Sequence, residues 1–183
     1  MTTKSKATIE DLYNIPEDKK AEIINGEIIL MSPTGDLPNS AAGAIYYSLR
    51  SYSRETGIGR AYTDNIGYKV NLPERGSFSP DASYYFGART RGKFLEGAPS
   101  FAVEVRSEND YGDKAEEIIE KKRLEYFAAG TTVVWDVDVL KEEIIRVYKI
   151  SDPKYPIIYR RGEIAEAEPA LPGWRFPVDE MFE

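Results

Sequence analysis

Phe101-Ala102-Val103-Glu104-Val105-Arg106-Ser107 is the stretch on which the fold turns. Its aromatic and β-branched residues favour a strand. The two-residue period of a strand puts Ala102, Glu104 and Arg106 on one face, and Phe101, Val103 and Val105 on the other. A carboxylate in the middle of so apolar a strand needs a cationic partner, hydrogen bonds or a metal. Upstream, Ser79-Pro80-Asp81 sets a second carboxylate at the mouth of another apolar run, Ala82-Ser83-Tyr84-Tyr85-Phe86. Downstream, Lys121-Lys122-Arg123-Leu124-Glu125-Tyr126 falls in a helical pattern. Two carboxylates on neighbouring strands can share one divalent cation, with water and a phosphate oxygen completing its shell.

Working outward, strands are predicted over residues 61–63, 66–70, 82–86 and 101–105. A helix then starts at Asp113, with Ala115, Ile118, Ile119, Leu124, Phe127 and Ala128 along one side and Gly130 closing it. A buried strand follows over 132–137, and 143–150 with 155–159 reads as an antiparallel pair. Toward the N-terminus, Thr8 caps a short helix that ends at Ile15-Pro16. Residues 17–24 are expected to add a helical turn or two, and the Asn25-Gly26 turn returns the chain as a strand over 27–31. Ser40 is the candidate cap of a helix carrying Ala44, Ile45, Tyr47, Leu49 and Tyr52. The tail Leu171-Pro172-Gly173-Trp174-Arg175-Phe176 reads as an extended segment packed through its aromatics. The pattern predicts one α/β (α+β) domain over residues 1–183, a central mixed β-sheet flanked by helices.

The inventory of side chains narrows the chemistry. There is no Cys and no His among 183 residues, so thiolate zinc sites, disulfides and Ser-His-Asp or Cys-His triads are all excluded. Any metal must be held by oxygen, which suits Mg²⁺ or Mn²⁺. A formal charge of −7 argues against a surface coated with basic residues. It leaves room for a local basic track, for which Arg89, Arg91 and Lys93, or Lys121, Lys122 and Arg123, are candidates when not simply solvated charges. No segment has the apolar length to cross a bilayer, and residues 1–6 are polar without a signal-peptide core, so a cytoplasmic protein without membrane attachment is expected.

A phosphodiester repels anionic nucleophiles, so its hydrolysis calls for a cation that neutralises phosphate oxygens and acidifies a bound water. An ammonium supplies further positive charge. Lys122, four residues before Tyr126 on the helix, and Arg106 are the two candidates, although Arg cannot act as a base.

Pro80-Asp81, Glu104-Val105-Arg106-Ser107 and Lys122 with Tyr126 and Ala129-Gly130 together resemble the PD-(D/E)XK nuclease superfamily. More closely, the chain resembles the Uma-two family of restriction-endonuclease-like proteins. That similarity begins at Glu22-Ile23-Ile24-Asn25-Gly26-Glu27 with Met31-Ser32-Pro33, and continues through the site segments and Val134-Trp135-Asp136-Val137-Asp138. It ends at Leu171-Pro172-Gly173-Trp174. The resemblance implies a restriction-endonuclease-like fold and a DNA-cleaving, Mg²⁺- or Mn²⁺-dependent enzyme. It makes Asp81 and Glu104 metal ligands, completed by the backbone carbonyl of Val105. Lys122 stands for the motif lysine moved to the helix, and Glu22 is an accessory acid, with Glu27 the alternative. Cleavage of two strands by two sites implies a homodimer. Two positions depart from the family pattern: Asn39 stands where a His is common after Ser-Pro, and Arg106 where the superfamily motif has lysine.

Other readings of the same residues stay open. The fold can serve as a binding or assembly module without catalysis. Asp81 and Glu104 can be the carboxyl pair of a glycosidase. They can also be structural ion-pair partners of Arg106 and Lys122. Metal dependence separates the nuclease from each of these.

Overall fold

The computed structural model describes residues 6–16 and 19–183. In chain order these form α1 (Ile9–Tyr13), β1 (Lys20–Ile24), β2 (Glu27–Met31), α2 (Asp36–Thr56), β3 (Arg60–Thr63), β4 (Tyr68–Leu72), β5 (Arg75–Phe78), β6 (Ala82–Tyr85), β7 (Leu95–Glu96) and β8 (Phe101–Val105). Then come α3 (Asp113–Ala128), β9 (Val133–Asp138), β10 (Ile144–Lys149), β11 (Asp152–Arg160), β12 (Ile164–Glu166), β13 (Arg175–Pro177) and a closing 3₁₀ turn, Val178–Phe182. The central sheet is mixed, as expected, with strand order β11-β10-β9-β8-β6-β3. Its parallel pair is β8–β9, which α3 joins as a crossover helix. A second sheet, β2-β1-β5-β4-β7, lies beside it, and β12 and β13 pair separately.

Alternation along β8 assigns the two faces. Phe101, Val103 and Val105 pack with Ile45 and Leu49 of α2 and with Trp135, Trp174, Phe176 and Met181. Ala102 faces the other way, into a cluster with Tyr68 and Phe78 of the second sheet and Tyr126 and Phe127 of α3. The C-terminal aromatics are core, since Trp174 lies 5.1 Å from the Trp135 ring and 5.6 Å from Phe101. Glu104 belongs to the face covered by α3, and that position decides the site.

Several local expectations need correction. Glu17 and Asp18 of the expected helical turn lie outside the described residues, and Lys20–Ile24 of that segment form strand β1. Asn25 (φ 52°) and Gly26 (φ 74°) form the left-handed two-residue loop of a hairpin that pairs Ile24 with Glu27, so both flanks must be extended. Gly35, not Ser40, precedes the first turn of α2, and Ser40 lies inside the helix. Tyr47 points outward at 73% exposure. The strand expected at 66–70 sits at Tyr68–Leu72, and β5 was not anticipated. On α3 the buried residues are Arg123, Tyr126 and Phe127, while Ile118 and Leu124 are exposed, because the cation-rich side of this helix faces buried acids. Thr8 does cap α1, its hydroxyl accepting from the Asp11 amide while the Asp11 carboxylate accepts from the Thr8 amide. Among the described residues no helix is long and apolar enough to cross a membrane.

Gly57 and Gly59 share φ +68° but differ in surroundings. A Cβ on Gly57 meets nothing within 4 Å, whereas one on Gly59 runs into the rings of Tyr84 and Phe86. Gly57→Ala is expected to cost about 1 kcal/mol from backbone strain alone. Gly59→Ala should cost about 2 kcal/mol more, as overpacking is added. Urea unfolding midpoints of the two variants measure the difference, and equal losses would show that the aromatic pair yields freely.

Candidate active site

Five elements deliver the polar side chains of one cluster. Strand β1 presents Lys20 and Glu22, two residues apart and therefore on one face. Arg75 opens β5, Asp81 sits just before β6, Glu104 is the fourth residue of β8, and α3 brings Lys122, Glu125 and Tyr126.

Asp81 is tied to β8 at two points. Its amide donates to the Val103 carbonyl (3.0 Å), and its Oδ2 accepts from the Val105 amide (2.8 Å). The segment after Pro80 is thus laced against the strand that carries Glu104. Glu104 Oε2 accepts from Lys122 Nζ at 2.8 Å, and Oε1 from the Tyr126 hydroxyl at 2.6 Å. Lys122 and Tyr126 are one helical turn apart, so a single helix face grips both oxygens. Lys122 also reaches Glu22 Oε1 at 3.2 Å. Glu22 is fully buried, and its Oε2 accepts from Arg75 at 2.6 Å while Oε1 accepts from the Ser79 amide at 2.8 Å. Arg75 pairs onward with Glu125 and lies over Phe78, which stacks on Tyr126. At Asp81, Lys20 Nζ is 3.2 Å from Oδ1 and also bonds Asp64.

The electrostatics follow from this alternation of sign. Burial opposes the charge on Lys122, but Glu104 and Glu22 outweigh it and hold the lysine above its ordinary value. Burial likewise opposes the charge on Lys20, and Asp81, Glu104 and Asp64 overcome it. Burial pushes the Glu104 carboxyl up; Lys122 pulls it down, and nearby Asp81 and Glu22 add to the rise. Glu22 goes the other way: burial penalises its charge, but Lys122, Arg75 and the Ser79 amide bring it below the ordinary glutamate value. Tyr126 is raised well above the usual phenol by burial and by Glu104 and Glu22, so it stays a neutral donor.

Glu22 therefore predicts a pH effect. Its folded pKa lies below the unfolded value of 4.5, so its contribution to stability is complete above about pH 4.5 and is lost as pH falls through the lower folded value. Wild type should exceed Glu22→Gln in stability at neutral pH, with the gap closing in acid. Urea unfolding from about pH 7 to about pH 3 measures this, and a gap independent of pH would show that the Glu22 charge is not paired as described.

Of the residues singled out in the sequence, Asp81, Glu104, Lys122 and Glu22 come together. Glu27 stands at the exposed start of β2. Val105 enters through its amide, which orients Asp81. Arg106 is engaged elsewhere: its guanidinium forms a bidentate pair with Asp136 (2.7 Å for both bonds) and pairs with Glu116, at 5% exposure. Lys20, Arg75 and Glu125 belong to the cluster but were missed. Lys20 becomes visible once 20–24 is read as a strand, because residue i−2 of Glu22 must share its face. Arg75 gave no signal, since Arg-Gly-Ser-Phe does not look like a strand.

Among the described residues no three carboxylates are gathered closely enough to cage a metal. Asp81 and Glu104 nonetheless suit a hard cation as a two-carboxylate site. Their donors are all oxygen, their side chains keep 16% and 26% exposure, and each oxygen accepts one hydrogen bond named above, leaving a lone pair.

A family model, Uma2, described as "Putative restriction endonuclease", matches residues 8–179. The chain belongs to the Uma2 family. Among solved structures, the Uma2 chain is similar to the "Crystal structure of a putative nuclease belonging to DUF820 from Anabaena variabilis ATCC 29413". The TM-score is 0.76 at 17% identity, over 96% of this chain and 97% of that one, so the two share a fold. No curated protein matches this Uma2 chain.

Proposed function

We propose that this Uma2 protein is a divalent-cation-dependent endonuclease that hydrolyses DNA phosphodiester bonds in the cytoplasm. The observation that supports this best is the meeting of Asp81, just before β6, with Glu104 of the adjacent β8, the Lys122 ammonium lying 2.8 Å from Glu104. When bound by Asp81 and Glu104, Mg²⁺ or Mn²⁺ supplies charge neutralisation at the phosphate and an acidified water.

The protein's own groups do the rest. Lys122 stays an ammonium at neutral pH, since its pKa is raised, so it stabilises charge accumulating on the phosphate and does not serve as a base. Glu22 anchors Lys122 from behind, and Arg75 compensates Glu22 so that the buried carboxylate does not immobilise the lysine alone. Tyr126 fixes the orientation of Glu104. A cavity of about 570 Å³ beside α3 is lined by Glu74, Glu117, Glu120 and Glu125 together with Lys121, which pairs with Glu74. Cutting both strands calls for two such sites, so the active species is a homodimer.

The test is nicking of supercoiled plasmid at low salt with Mn²⁺, with Mg²⁺ and with chelator, for wild type and Asp81→Ala. Cleavage that needs the cation and disappears in the variant supports the proposal. Wild type that binds DNA without cutting it under every cation condition indicates a binding module instead.

A further inference from the structure

Strand β1 brings to the site a cation that the nuclease motif does not contain. Asp81 Oδ2 is held by the Val105 amide, a backbone group that cannot turn away, whereas Oδ1 accepts from the Lys20 ammonium at 3.2 Å, a side-chain partner that can move aside for a ligand. Lys20 has a second anchor in Asp64, on the loop after β3, whose side chain is 43% exposed against 17% for Lys20. Lys122 differs in being held between Glu104 and the fully buried Glu22. One lysine thus pairs with each member of the Asp81–Glu104 pair, Lys122 held also by a buried carboxylate and Lys20 also by an exposed one.

We propose that Lys20 is a substrate-contacting residue, seated on Asp81 Oδ1 in the free protein and released to a DNA phosphate, with Asp64 as its tether, when a divalent cation takes that oxygen. The inference rests on the metal-dependent reading above. Two cations cannot share one carboxylate oxygen at contact distance without strong repulsion, so Lys20 and the metal ion compete for Oδ1. Asp64 keeps the displaced ammonium within reach of the site. A phosphate arriving beside the occupied carboxylates then meets positive charge from β1 as well as from α3.

Mn²⁺ titration calorimetry on wild type, Lys20→Met and Lys20→Arg, with thermal melts of each, tests the competition. Anisotropy of a labelled short duplex with Ca²⁺, over a range of salt, tests the phosphate contact. Lys20→Met is expected to bind Mn²⁺ about 10-fold more tightly than wild type. Its plot of log affinity for DNA against log salt should be shallower by about 0.9, the loss of one phosphate contact. Lys20→Arg keeps the charge and should keep the wild-type slope, which controls for damage to folding. Wild type that binds Mn²⁺ while Lys20→Met binds it equally or less well, or an unchanged salt slope, overturns the role of Lys20 alone. Absence of Mn²⁺ binding in all three proteins overturns the metal-dependent reading together with it.

Discussion

Replacing Lys122 by Met is expected to lower single-turnover cleavage by about 10²–10³-fold, the usual effect of losing one charge-stabilising donor at a transition state. Mn²⁺ affinity at neutral pH should be equal or higher, because the substitution removes a positive charge 2.8 Å from Glu104. The pH profile should move as well. Burial already lifts Glu104, and Lys122 is the largest influence pulling it down. Without the lysine the carboxyl rises further, so protons compete with the cation up to a higher pH and the acid limb of metal binding shifts upward. Met is the apt replacement because Lys122 lies over the Tyr126 ring and its stem should be kept. Single-turnover rates and Mn²⁺ titrations between about pH 5 and pH 9 measure both effects. Unimpaired cleavage by the variant would remove Lys122 from the site chemistry; lost metal binding would recast it as a brace for Glu104.

The parts of this site that could be read in the sequence are those in which a local rule and the global fold agree. Phe101–Val105 alternates cleanly, so its strand and the inward direction of Glu104 follow from period two, and Asp81 is fixed by the strand it precedes. Lys122 and Tyr126 needed only helical spacing. The N-terminal segment departs from expectation because the polar-apolar alternation of Lys20-Ala21-Glu22-Ile23 is short, and the Asn25-Gly26 turn requires a strand on both of its flanks, not only on the second. Glu22 was therefore found through resemblance and Lys20 was missed. α3 misled for a different reason. Its inner side is filled by ion pairs and aromatic rings instead of aliphatic burial, with Arg123 over Tyr148 and Lys122 between two acids, so its apolar residues do not mark the buried side. Arg106 shows the limit of face arguments. It shares the face of Glu104, yet its guanidinium is taken by Asp136, the register partner of Glu104 on β9, a parallel neighbour that no local pattern reveals.

Arg106→Met is expected to destabilise the fold by about 3–5 kcal/mol, the range for removing one partner of a buried ion pair. It should lower the cleavage rate of the folded protein by less than about 10-fold. Asp136 is 3% exposed and has both oxygens on the Arg106 guanidinium, with Arg146 at 3.8 Å as its other cation. Removing Arg106 leaves that carboxylate buried and poorly paired, whereas Glu116 is half exposed and can turn to water. Asp136→Asn in the same chain should therefore restore a large part of the loss, and a double-mutant cycle of urea unfolding midpoints gives the coupling directly. Activity discriminates between the two cations of the motif. Arg106 joins the end of β8 to β9 and to the first turn of α3, so it positions the helix that carries Lys122 without contact to Asp81 or Glu104 among the bonds described. If Arg106→Met stays folded and loses as much rate as Lys122→Met, the guanidinium itself serves the phosphate, and the motif cation has remained on the strand. If stability falls while the rate per folded molecule holds, the cation has moved to the helix and Arg106 has become the joint that keeps α3 in place.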